Sequence, residues 1–275
     1  MRKTKRLTKV TAGRLVFCVC YTQAMPSDSA KTRAEKTKCS SAARKRLNFV
    51  HSYEKLQLWL ASNFTRSDLY VTLSYSDECL PPGRKAADKV LAKFLRRLGA
   101  CRKAAGEELK YIKCTQELMD DGSRRLHHHL VINAGDERRD FDLIRSLWEH
   151  GDNIDISLVC NSEHYLHDDF LELAMYLARE RSPDSPLTSV GRRSWSGSRN
   201  LKRWTRESEM VDESATVVAP PGAFILDSDE KQNEFGYFKF LKYLLPERKP
   251  PADRPPGGAS GGLPGGPKGR PPDTR

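Results

Sequence analysis

Three of the chain's seven histidines stand together, His127-His128-His129, at the start of the apolar run Leu130-Val131-Ile132. The run is short and partly β-branched, and Asp120-Asp121-Gly122 upstream is a turn signal. The segment therefore reads as a β-strand entered from a hairpin. Side chains alternate along a strand. Leu126, His128, Leu130 and Ile132 share one face, the core face. His127, His129, Val131 and Asn133 share the other, more polar one. On that face two imidazoles stand roughly 7 Å apart along the backbone, close enough to converge on one divalent ion. A solvated strand end has the same spacing, so the pair needs further donors before it becomes a site.

Lys110 to Glu117 reads as the partner strand of the hairpin. If Glu117 pairs near His127, strand parity puts its carboxylate on the histidine face, and any even shift of register keeps it there. His127, His129 and Glu117 then make a three-ligand site with open positions. Such mixed ligation suits Mg²⁺ or Mn²⁺ acting on a phosphate better than a closed structural zinc. In that register Cys114 lies on the opposite face, which argues against a Cys-His zinc site. Further along, residues 163–180 read as a helix with an apolar stripe of Leu166, Phe170, Leu173 and Leu177. Asp169, Glu172, Tyr176 and Arg179 form a polar stripe on it. A tyrosine hydroxyl attacks poorly at its free pKa of about 10 and needs a nearby cation or metal. Tyr176 with Arg179 one turn away meets that need, although an amphipathic boundary tyrosine has the same spacing.

These groups need a scaffold. Leu69 to Tyr75 alternates as a strand, and Ala87, Leu91, Phe94 and Leu98 recur at helical spacing, with Arg96, Arg97, Arg102 and Lys103 on the other side. Residues 51–62 read as a helix. Strands are expected at 153–160 and 217–226, the latter broken by Pro220-Pro221-Gly222, and 236–245 is apolar and aromatic. Strands and helices mix without a regular βαβ alternation. The expected class is α+β, a sandwich on a central antiparallel sheet flanked by helices. The organisation expected is a basic N-terminal arm over 1–47 with a strand at 14–21, one domain over 48–246, and a disordered Pro/Gly-rich tail over 247–275.

Charge and cysteines narrow the class. The chain carries a net +11, and residues 1–64 hold fourteen Lys/Arg against three Asp/Glu, so the rest is balanced. A basic arm on a neutral body points to a polyanionic partner, most simply nucleic acid, although a solvated leader has the same composition. Seven cysteines without paired CxxC motifs fit reduced thiols rather than a disulfide framework. No apolar run approaches a membrane span, and a cytoplasmic location without membrane partners is expected.

Four stretches together carry a resemblance. Leu69-Tyr-Val-Thr-Leu-Ser-Tyr-Ser-Asp-Glu-Cys-Leu-Pro81, Arg125-Leu-His-His-His-Leu-Val-Ile-Asn133, Tyr176-Leu-Ala-Arg-Glu180 and Gly191-Arg-Arg-Ser-Trp-Ser-Gly-Ser-Arg-Asn-Leu-Lys202 occur in that order. This order resembles the HUH endonucleases, and more narrowly the rolling-circle replication initiators of small phages and plasmids. The resemblance implies an HUH/RRM-like sandwich. It also implies a nickase with His127, His129 and Glu117 as metal ligands, Tyr176 as nucleophile and Arg179 in place of the family lysine. Arg keeps the charge but does not give up a proton, so an electrostatic role survives there and a proton shuttle does not. Arg192, Arg193, Arg199, Lys202 and Arg203 would hold DNA phosphates. The implied partners are a single-stranded DNA origin, a host helicase and a DNA polymerase. A relaxase or transposase using the same site, or an inactive DNA-binding regulator, is the alternative.

Overall fold

The structure is a computed structural model that describes residues 5–23, 42–187, 194–234 and 236–247. Its elements are β1 (Lys5–Ala12), β2 (Leu15–Thr22), α1 (Ala42–Asn63), β3 (Leu69–Ser74), α2 (Arg84–Ala104), β4 (Tyr111–Leu118) and β5 (Arg124–Ile132). There follow α3 (Glu137–Leu147), β6 (Ile154–Leu158), α4 (Leu171–Ala178), β7 (Trp195–Gly197), β8 (Thr205–Val211), β9 (Phe224–Asn233) and β10 (Gly236–Leu244). The class is α+β. The strands form two five-stranded antiparallel sheets, ordered β6-β3-β5-β4-β7 and β8-β1-β2-β10-β9.

The first sheet is flanked by helices on both faces, and β5 lies at its centre. On one face α2 and α3 pack Leu91, Leu98 and Ile144 against Leu73, Leu130 and Ile132. On the other, α1 and α4 pack Leu56, Leu60, Leu173 and Leu177 against Ile112 and Val131. Consequently every β5 residue from Leu126 to Ile132 is buried. The alternation places His128 opposite to His127 and His129, but both faces are interior. The expected polar face does not exist at this depth, because a second pair of helices covers it.

One cation expected on the solvent side of α2 is in the core. Arg102 and Asp140 are both fully buried and pair at 2.7 Å. Arg102 also donates to the Asn133 carbonyl at 2.7 Å, and Asp140 accepts from the Gly135 amide at 2.8 Å. The pair ties α2, α3 and the exit of β5 together. Losing one partner of such a pair costs about 3–5 kcal/mol.

The second sheet takes up part of the basic N-terminal segment. β1 and β2 form a hairpin in which Ala12 faces Leu15. Its turn uses Gly13 at φ +57°, where a Cβ would lie 2.2 Å from the Ala61 carbonyl oxygen, so the turn can sit directly on α1. β2 then pairs with β10, and β1 with β8. The strand expected at 14–21 is β2. The expected tail lies outside the described residues from 248 onward.

The helix expected over 163–180 is shorter. Phe170 sits at φ 59°, a left-handed conformation that no regular helix continues through, and α4 starts after it. Leu166 is accordingly 64% exposed rather than part of an apolar stripe.

Candidate functional site

His127 and His129 lie on β5 beneath α4, each 3% exposed, with ring centroids 4.8 Å apart and planes at 90°. The Nδ1 of His127 lies 2.8 Å from the Arg125 carbonyl. A carbonyl only accepts, so Nδ1 carries the proton and Nε2 is a bare lone pair. The Nδ1 of His129 is held by the Tyr70 hydroxyl at 2.9 Å and the Thr72 hydroxyl at 3.2 Å. Its Nε2 is buried and has no hydrogen-bond partner. Burial holds both rings below the ordinary histidine range, in the neutral form that binds metals.

His128 faces α2 and enters a hydrogen-bond chain. The Asp88 carboxylate accepts from the Thr115 hydroxyl at 2.6 Å, which leaves the Thr115 oxygen to accept from His128 Nδ1 at 3.0 Å. His128 Nε2 then accepts from the Tyr75 hydroxyl at 2.6 Å. Burial pushes the His128 pKa down to about 3, so the ring is neutral and structural.

The hairpin register differs from the expected one. Met119 and Ser123 flank a turn with Gly122 at φ +82°, and Leu118 pairs with Arg124. Continued regularly, that register would put Glu117 on the histidine face. Instead a β-bulge intervenes, and Gln116 pairs with His127 while Cys114 pairs with His129. One extra residue in β5 flips every following β4 side chain to the other face. Glu117 therefore points toward α2, where its carboxylate lies 3.5 Å from the Arg84 guanidinium. The structure does not bring it to the imidazoles. Cys114 shares the histidine face, contrary to expectation, but its sulfur donates to the Leu177 and Ser194 carbonyls. Burial pushes that thiol up to about 12, so it stays protonated. Among the described residues, no three His, Cys, Asp or Glu side chains converge as a metal cage.

Tyr176 and Arg179 are brought to the site together. The Tyr176 ring lies 5.2 Å from that of His129, centroid to centroid, and stacks on His164 at 3.5 Å. The Arg179 guanidinium covers it at 4.2 Å. Its hydroxyl donates to Asp120 in the β4–β5 turn at 3.3 Å. Burial pushes the phenol up to about 12, with Arg179 pulling the other way. Arg179 is itself clamped. It donates to Gln116 Oε1 at 3.0 Å, to the Leu118 carbonyl at 2.6 Å, and to the Asp120 carboxylate. Glu180 accepts from the Glu117 and Leu118 amides and pairs with Arg84 at 2.9 Å. The nucleophile segment is thus bolted to the end of the histidine hairpin. Gln116, Asp120, His164, Glu180 and Tyr70 were not singled out from sequence. Only the Asp-Gly turn hinted at one of them, and its signal is local.

Of the expected DNA-contacting residues, Arg192 and Arg193 lie outside the described residues. Arg199, Lys202 and Arg203 are exposed beyond β7. Their loop is pinned by backbone: Asn63 accepts from the Lys202 amide at 2.6 Å and donates to its carbonyl at 2.8 Å.

A sheet carrying two inward imidazoles, with a tyrosine presented by a helix above them, is the arrangement that the sequence resemblance implies for a replication initiator. Comparison with known families agrees: residues 68–171 match a replication-associated protein family, the ORF2 type. The match runs from Asp68 through the histidine strand to Leu171, the first residue of α4, and Tyr176 lies just beyond it. Over this segment the chain is replication-initiator-like, and the match points to a role in replication initiation and to DNA as partner. No curated protein and no solved structure matches the chain. Among the described residues no helix is long and apolar enough to cross a membrane.

Proposed function

We propose that this protein initiates rolling-circle replication by nicking and rejoining single-stranded DNA through a covalent tyrosine intermediate. The observation that supports this most is the stacking of Tyr176 beside His129 and under Arg179. The His127 and His129 Nε2 atoms are the donors that fit a divalent ion, one by its bare lone pair and the other as a buried atom without a partner. When bound there, the ion would polarise a scissile phosphate. With no carboxylate on the same face, the donor set suits Mn²⁺ better than Mg²⁺, which prefers oxygen ligands. Glu117 has no part in this reading of the metal site.

The Tyr176 oxygen attacks phosphorus, forming the Oη–P bond as the P–O3′ bond breaks. The phenol proton leaves the hydroxyl, Asp120 being its hydrogen-bond acceptor, and a proton ends on the departing 3′ oxygen. Arg179 fixes the ring's orientation and offers positive charge beside it. The phosphotyrosine conserves the bond energy, so rejoining requires no nucleotide, and the sequence holds no GxxxxGK[ST] loop. The freed 3′ hydroxyl is a primer, so a host polymerase and helicase are the partners this reading calls for. Arg199, Lys202 and Arg203 would contact phosphates. The test is to incubate the protein with single-stranded origin DNA and Mn²⁺ and to map the nucleotide-bearing peptide by mass spectrometry. An adduct on Tyr176, absent in Tyr176→Phe, is expected; cleavage by Tyr176→Phe would overturn the reading in favour of an attacking water.

A further inference from the structure

Behind α4, away from the imidazoles, α1 and the edge strand β7 enclose a groove of about 680 Å³, a size typical of small-ligand sites. One stripe of α1 lines it: His51, Lys55 and Trp59 recur every four residues. Arg181, at the end of the nucleophile segment, and Ser194 and Trp195 complete it. No acidic side chain is among its described lining residues, in a chain with 36 Asp and Glu. Ser194 Oγ is buried without a hydrogen-bond partner. The groove therefore combines two cations, two indoles and an unsatisfied hydroxyl.

We propose that this groove binds unpaired nucleotides of the DNA strand next to the scissile phosphate. Indoles offer stacking surfaces to any unpaired base, Lys55 and Arg181 match the backbone phosphates, and Ser194 offers a hydroxyl. A duplex hides its base faces in its own stack and cannot use the indoles. The groove is coupled to the reaction centre through Cys114, whose sulfur bonds both the Leu177 carbonyl of α4 and the Ser194 carbonyl. Arg181 follows Arg179 in one 3₁₀ turn and reaches the Ser52 hydroxyl of α1 at 3.5 Å. A strand held here is thereby presented to Tyr176. The inference rests on the proposed nicking function for its location, but not for its test.

That test uses fluorescent dT12 and the full chain in EDTA, where no cleavage occurs. Lys55 is exposed, so Lys55→Gln should fold normally. It should bind about tenfold more weakly, with a salt slope lower by about 0.7. An iodouracil-substituted dT12 should photocrosslink to Trp59 or Trp195, and a duplex of equal length should compete poorly. Unchanged affinity and slope in Lys55→Gln, crosslinks elsewhere, or equal competition by duplex would each overturn the proposal. Groove binding without any Tyr176 adduct would sink the nicking function and leave this site standing. A normal adduct with an indifferent Lys55→Gln would do the reverse.

Discussion

Charge alone makes Arg179→Lys conservative; the geometry around Arg179 makes it damaging. The guanidinium fork spans the Gln116 side-chain oxygen, the Leu118 carbonyl and the Asp120 carboxylate at once. An ammonium is a compact point donor and cannot reach all three. Gln116 is fully buried, so its oxygen would be left unsatisfied at a cost of about 1–3 kcal/mol. The partly buried Leu118 carbonyl adds about 1 kcal/mol. The Asp120 carboxylate is 65% exposed, and water screens that pair enough to contribute at most about 1 kcal/mol. The sum, about 2–4 kcal/mol, corresponds to a melting-temperature drop of roughly 5–12 °C for a chain of this size. The Tyr176 ring would also lose its lid, so adduct formation should slow at least about tenfold. Thermal melts and single-turnover adduct assays on the same preparation measure both effects. An Arg179→Lys protein that melts with the native one and forms adduct at its rate would refute the clamp.

Other expectations follow from the same geometry. His128→Ala orphans the Tyr75 and Thr115 hydroxyls and opens a cavity, so it should cost about 3–5 kcal/mol in denaturant unfolding yet leave Mn²⁺ binding intact; loss of Mn²⁺ binding in a folded His128→Ala protein would contradict the strand facing. The His128 pKa lies at about 3 in the fold against 6.5 in the open chain. The unfolded state therefore takes up the proton first, stability falls as pH drops from 6.5 toward 3, and His128→Leu should show a shallower acid limb in pH-dependent melts. Mn²⁺ should raise the melting temperature of the native protein but not of His129→Ala, and an equal rise in both would place the ion elsewhere. Neutralising Arg199, Lys202 and Arg203 together should lower the salt slope of single-strand binding by about 2; an unchanged slope would make that loop a bystander.

The facing of β5 was legible from sequence because strand alternation is a local rule, and His127 and His129 stand apart from His128 as the two-residue period requires. The α+β class and the pairing of Tyr176 with Arg179 were legible for the same reason, since both follow from short periodicities. The third ligand was not. A tight turn and a single bulge lie between Glu117 and the histidines, and one inserted residue reverses parity, which no local pattern of alternating types reveals. Tertiary packing also decided the burial of both β5 faces, because the second covering layer comes from α1 and α4, far apart in the chain. It placed Arg102 in the core, where Asp140 compensates its charge. It joined β2 to β10 across more than 200 residues, a pairing that long-range register alone creates.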